Sequence, residues 1–253
     1  MIPRLSLLLL ASALLSAQTV PQVAFGSAGG GAWQTTVILV NRSATAGGVI
    51  HLHFFQSDGQ PMPAPIEGVL LSTHRLAIAP NGSRRLVIAD DSAPLTQGWL
   101  RIIMPPNVAL SGQAILRQRV PGRPDFETAV PLSAMPDAVR CLVPLPGYMA
   151  PPGWIFPFDN TPGFVTTIAL VNTSGIPRLI SLEATDEEGR FMGGVQFEMQ
   201  PGRHLAFRLE DRLPMLAGQR GTFRLPSTRS EVGVVVFLFN DSGPFATLLP
   251  IEP

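Results

Sequence analysis

Apolar and polar positions along this chain follow a period of two, in short runs separated by turn residues. The run over 49–56 is typical: Ile50, Leu52 and Phe54 fall on one side, His51 and His53 on the other, as in a strand with one buried face. Similar runs over 35–41, 74–79, 84–89, 98–104, 110–119 and 126–131 predict six more strands. Asp58-Gly59, Asn81-Gly82 and the stretch Pro121 to Pro124 stand between them, turn chemistry of the kind that closes hairpins. No sustained helical period occurs after the first residues. Short strands at this spacing predict an all-β fold, an immunoglobulin-like sandwich first and a closed barrel as the alternative.

The pattern occurs twice. Thr35-Thr-Val-Ile-Leu-Val-Asn41-Arg-Ser43 returns as Thr166-Thr-Ile-Ala-Leu-Val-Asn172-Thr-Ser174, and Asp58-Gly59 is answered by Glu188-Gly189. Pro80-Asn-Gly82 is answered by Pro201-Gly202, Gly98-Trp-Leu-Arg-Ile102 by Gly221-Thr-Phe-Arg-Leu225, and Thr128 to Pro131 by Thr247 to Pro250. Collinear matches of this kind mark a duplication. The expected organisation is a leader over 1–17, a first β-sandwich over 18–136, a proline-rich linker over 137–149 and a second sandwich over 150–253. The shared inward pattern, Ile50 and Leu52 against Ile180 and Leu182, is the predicted core, and the outward positions differ between copies.

The leader follows from Arg4, an apolar run from Leu5 to Leu15 and small Ser16-Ala17 before Gln18, the pattern of a secretory signal cut after Ala17. The run is too short to cross a bilayer, and no later stretch is apolar for long enough, so the mature chain is expected to carry no transmembrane segment. Export to the periplasm, cell surface or medium is the expected localisation. A net charge of +0, with 18 arginines supplying all the positive charge, gives no electrostatic footprint for nucleic acid. The absence of lysine from the sequence excludes Schiff-base chemistry. Cys141 is the only cysteine, so no intrachain disulfide forms; it is read as a small buried hydrophobe, with an intermolecular bridge as the alternative.

Candidate chemistry is sparse. His51 and His53 lie two apart on one strand face, with His74 as a further histidine, a spacing that can ligate zinc; solvent-facing histidines are the simpler account. Asp90-Asp91 and Asp186 to Glu188 occupy turns, where acidic residues bond locally. The Asn-x-Ser triplets at Asn41, Asn81, Asn172 and Asn240 match a glycosylation acceptor in form, but turns explain them. Trp99 aligns with Thr222, so an outward position is expected, with Arg101 two residues along the same face; such a pair can bind a sugar or pair internally by a cation–π contact. No nucleophile elbow, zinc-protease helix, paired-cysteine motif or phosphate-cradling loop occurs in the sequence, and no cofactor is expected.

The strand Thr-Thr-[Val/Ile]-x-Leu-Val-Asn-x-Ser and the later Gly-x-[Leu/Phe]-Arg resemble the tandem immunoglobulin-like modules of uncharacterised secreted bacterial proteins. The resemblance implies an extracellular β-sandwich used for display, adhesion or spacing, and transfers no catalytic residue. A non-enzymatic exported protein with a protein or glycan partner at the cell envelope is therefore expected. The alternatives are a carbohydrate-binding module using Trp99 and a hydrolase whose site lies between the two copies, built from His51, His53 or His204 with Asp90 or Asp91.

Overall fold

The structure is a computed structural model that describes residues 16–134, 153–226 and 231–251. Most of the expected leader, the 137–149 linker and Cys141 lie outside the described residues; Ser16 and Ala17 begin the first strand.

The first repeat contains β1 (Ser16–Ala28), β2 (Gly31–Asn41), β3 (Gly48–Gln56), β4 (Ala64–Ile66), β5 (Val69–Leu71), β6 (Thr73–Ile78), β7 (Ser83–Ala89), β8 (Thr96–Met104), β9 (Leu110–Arg119), β10 (Phe126–Pro131) and β11 (Ser133–Ala134). The second contains β12 (Trp154–Asp159), β13 (Phe164–Asn172), β14 (Arg178–Asp186), β15 (Phe191–Met199), β16 (His204–Arg208), α1 (Leu209–Arg212), β17 (Arg220–Leu225), β18 (Val232–Asn240) and β19 (Phe245–Leu248). Each of the seven expected strands is present; six agree within two residues at either end, and β2 starts four residues before the expected Thr35.

Ladder order repeats as the sequence does. In the first repeat β1-β8-β3-β6 form one sheet and β7-β2-β9-β10 lie side by side in the other. In the second, β12-β17-β14-β15 and β16-β13-β18-β19 occupy the same places. All the ladders are antiparallel. An immunoglobulin order would put β9 beside β8; the ladders put it beside β2 instead. Within β1 to β8 the two sheets run 1-8-3-6 and 2-7-4-5, the interleaving found in double-sheet jelly rolls. The first repeat adds the β4–β5 hairpin, and the second adds α1 with a 3₁₀ turn at Pro214–Leu216.

The shared motif residues hold this framework. Thr35 Oγ1 donates to Ala24 O (2.7 Å) and accepts from Ala24 N (2.9 Å), and Thr166 does the same to Asp159 (2.9 Å and 2.9 Å). Each threonine thereby ties the first strand of its repeat to the second. Asn41 and Asn172 are fully buried. The Asn41 amide donates to Ala46 O and Ala79 O, and the Asn172 amide to Ile176 O and Met199 O, which closes the same loop in both repeats. Turn bonding, as expected, explains these two Asn-x-Ser triplets. The glycine of Gly-x-x-Arg is equally fixed: a Cβ on Gly98 would stand 2.0 Å from Phe55 O, and one on Gly221 2.1 Å from Thr185 O.

Ile50, Leu52, Phe54, Leu100 and Ile102 from one sheet of the first repeat pack against Val37, Leu39, Leu86 and Ile88 from the other, each worth about 1.5 to 3 kcal/mol of burial. The same cluster includes Ala169, Val235, Phe237 and Phe245 of the second repeat. One outer face of the second repeat therefore completes the core of the first, while Ile168, Ile180, Leu182, Phe223 and Val236 build an interior of its own.

Candidate functional site

Strands β3 and β8 run side by side at the centre of their sheet, with His51 opposite Ile103, His53 opposite Arg101 and Phe55 opposite Trp99. Directly opposed residues share a face, so His51, His53, Trp99 and Arg101 all lie on the side turned away from the core. Across the other edge of β3, His51 faces Arg75 and His53 faces Thr73. His74 is opposite Leu52 and so sits on the inward parity, which removes it as a third ligand beside His51 and His53. Among the described residues no group of three or more His, Cys, Asp or Glu side chains is placed to hold a metal ion.

The expectation of an exposed Trp99 is corrected. Its side chain points away from the core, but the ring is only 1% exposed. The indole lies on Phe55, centroids 4.4 Å apart and 19° from parallel, and its Nε1–H donates to Gly202 O of the second repeat at 3.0 Å. Alternation gave the direction of the side chain and carried no information on what covers it. A sugar has no free Trp99 face to stack on.

Arg101 covers the same aromatic pair. Its guanidinium carbon is 5.1 Å from the Trp99 ring centroid and 5.4 Å from that of Phe55. Burial lowers its pKa, and its Nε is enclosed with no hydrogen-bond partner. Beside it, His53 is held below the usual histidine range, first by burial and then by the charges of His51 and Arg101. The His51 and His53 rings are 6.3 Å apart and nearly parallel, and His53 Nδ1 is 3.3 Å from Thr73 Oγ1.

The junction between repeats extends from this face. His204, 1% exposed, has Nδ1 at 3.0 Å from Ser57 Oγ and Nε2 at 3.0 Å from Gln22 Oε1, while its backbone N–H donates to Ser57 O. Burial pushes its pKa down to about 4, so the ring is neutral at pH 7. At the far end of the junction, β10 and β19 meet at equivalent residues: Thr128 Oγ1 and Thr247 Oγ1 are 2.8 Å apart, and Thr247 Oγ1 donates to Ala129 O. A cavity of about 240 Å³ lies between the two repeats, lined by Trp33, Phe207, Phe237 and Phe245 with Gln22 and Arg208.

The hydrolase alternative needs an imidazole facing a carboxylate. His204 has Ser57 and Gln22 as its ring partners. Asp90 is taken by the Ser92 hydroxyl and amide, which hold it below the usual carboxylate range, and Asp91 pairs with Arg119. The structure does not bring these residues together as an acid and a base. Phe55, Ser57 and Gln22 are the junction residues that the sequence left unmarked; Phe55 alone carried a signal, its place two positions after His53 on the outward parity. Compared with family models, with characterised proteins and with solved structures, the chain matches none of them.

Proposed function

We propose that this chain is an exported, non-enzymatic protein of two β-sandwich domains that acts at the cell envelope as a rigid binding or spacing element. The observation that carries this reading is the junction. Trp99 Nε1–H to Gly202 O and the two ring contacts of His204 are polar bonds between the repeats, the His204–Gln22 bond fully buried, and each contributes about 0.5 to 1.5 kcal/mol net. A tether between independent modules has no use for such bonds; a spacer that must hold two faces at a fixed angle does.

The binding side of the proposal rests on the outward face of β3 and β8, where His51, His53 and Arg101 stand. Export is tested by sequencing the N-terminus of the native protein, expected to begin at Gln18 in the envelope or medium. Binding is tested by a pull-down from the native envelope with mature protein as bait. A native chain that keeps residues 1–17 and stays in the cytosol overturns the proposal, as does turnover of an envelope polymer by the purified protein.

A further inference from the structure

The repeat supplies an internal control for the outward face. Arg101 and Arg224 occupy equivalent places in Gly-x-x-Arg, and each is directly opposed across its ladder by the residue equivalent to position 53. In the second repeat that residue is Glu183, so Arg224 has a carboxylate as its cross-strand neighbour. In the first it is His53. The next pair differs in the same sense. Thr185 and Thr222 share a hydrogen bond of 2.9 Å where the first repeat has the Phe55–Trp99 stack. Arg224 is exposed, whereas Arg101 is half-buried on a pair of rings.

Arg101 is thus a half-buried guanidinium that makes no hydrogen bond or ion pair among the described residues. Thr19, its neighbour on β1, has a fully buried hydroxyl that is also without a partner among the described residues. The residues opposed along this face, His51, His53, Thr73, Arg75, Thr19, Ile103 and Ala17, include no carboxylate. A guanidinium packed against two aromatic rings has less freedom still to lose, and its planar fork matches two oxygens of one oxyanion.

We infer that Arg101, flanked by His53 and His51, is a binding site for an oxyanion group, a carboxylate or phosphate, carried by the ligand of the first repeat. The inference rests on the proposal that this protein binds a ligand, and it names the chemistry of the site. The oxyanion brings to Arg101 the negative charge that Glu183 places opposite Arg224 on its ladder. The stacked Phe55 and Trp99 rings pack against the guanidinium, and Arg75 adds positive charge on the far side of His51.

The chain has four histidines, so ring resonances report the site directly. Mature protein is titrated with inorganic phosphate and, separately, acetate, against chloride at the same ionic strength. The expected result is a saturable shift of His51 and His53 with at least one of the two anions, and none of His74 or His204; the anion that binds more tightly names the ligand group. His53→Glu, which reproduces the second repeat, and Arg101→Gln are each expected to weaken binding by about tenfold or more. Amide spectra show whether each variant is folded. A wild-type protein with no saturable shift beyond chloride overturns the site, and so does undiminished binding in whichever variant folds. Neither outcome bears on the envelope pull-down, which can fail or succeed without them.

Discussion

The two repeats share a framework and differ in what their outward faces present. Thr35 and Thr166, Asn41 and Asn172, and Gly98 and Gly221 make the same contacts at the same ladder positions. On the face away from the core the pairs part company: Trp99 against Thr222, Phe55 against Thr185, His53 against Glu183. Ser83, exposed in the first repeat, has as its counterpart the buried His204 of the second, by equivalence of their ladder partners Val40 and Val171. The shared Thr and Asn satisfy buried polar groups, and the shared glycine leaves no room for a Cβ against the next strand's carbonyl. Positions that meet the other repeat or the solvent are free to specialise.

The largest effect expected is at Trp99. Trp99→Ala removes a buried ring and the bond to Gly202, so a loss of about 3 to 5 kcal/mol is predicted by chemical denaturation. Thr222→Ala at the equivalent place should cost about 1 kcal/mol or less. Equal effects at the two positions would break the comparison.

The His204 contribution depends on pH. Its folded pKa of about 4 lies below the 6.5 of a free histidine, so the unfolded chain binds the extra proton between those values. The contribution is complete above pH 6.5, is lost as pH falls toward 4, and amounts to about 3 kcal/mol. Urea denaturation at pH 7 and at pH 4.5 should show this loss in the wild type and a much smaller one in His204→Gln.

Asn41→Ala and Asn172→Ala each remove a fully buried amide and leave two carbonyls without their donor, and should each cost about 1 to 3 kcal/mol. The comparison is sharpened if the two losses agree, since the two side chains do the same work. Glu183→His sits at the small end: Glu183 and the Arg224 opposite it are both exposed, and the melting temperature should shift by less than the equivalent of about 0.5 kcal/mol. That variant should also acquire no anion response, because Arg224 lacks the aromatic platform.

The strands, their inward parity and the duplication were legible because each is local: alternation over 49–56 places Ile50, Leu52 and Phe54 inside whatever the partner strands are. Sheet order was not, since ladders join residues far apart in sequence, and β9 paired with β2 rather than β8 for reasons no local pattern carries. β1 escaped notice because its start overlaps the leader pattern and because it passes from one sheet to the other, pairing with β8 up to Phe25 and with β2 from Gly26. The candidate residues His51, His53, Trp99 and Arg101 could be placed on one face by parity alone. Their surroundings could not, because Gly202 and Gln22 reach this region from 103 residues beyond Trp99 and 182 residues before His204.

Trp99 is sealed between the repeats, and its indole proton reports on that seal. Hydrogen exchange followed by NMR should find the Trp99 Nε1–H protected to the same degree as the amides of β3 and β8, in keeping with a bond to Gly202 O at 3.0 Å. Exchange at the rate of an exposed indole would mean that the repeats part freely, and would return Trp99 to the surface as an open aromatic platform.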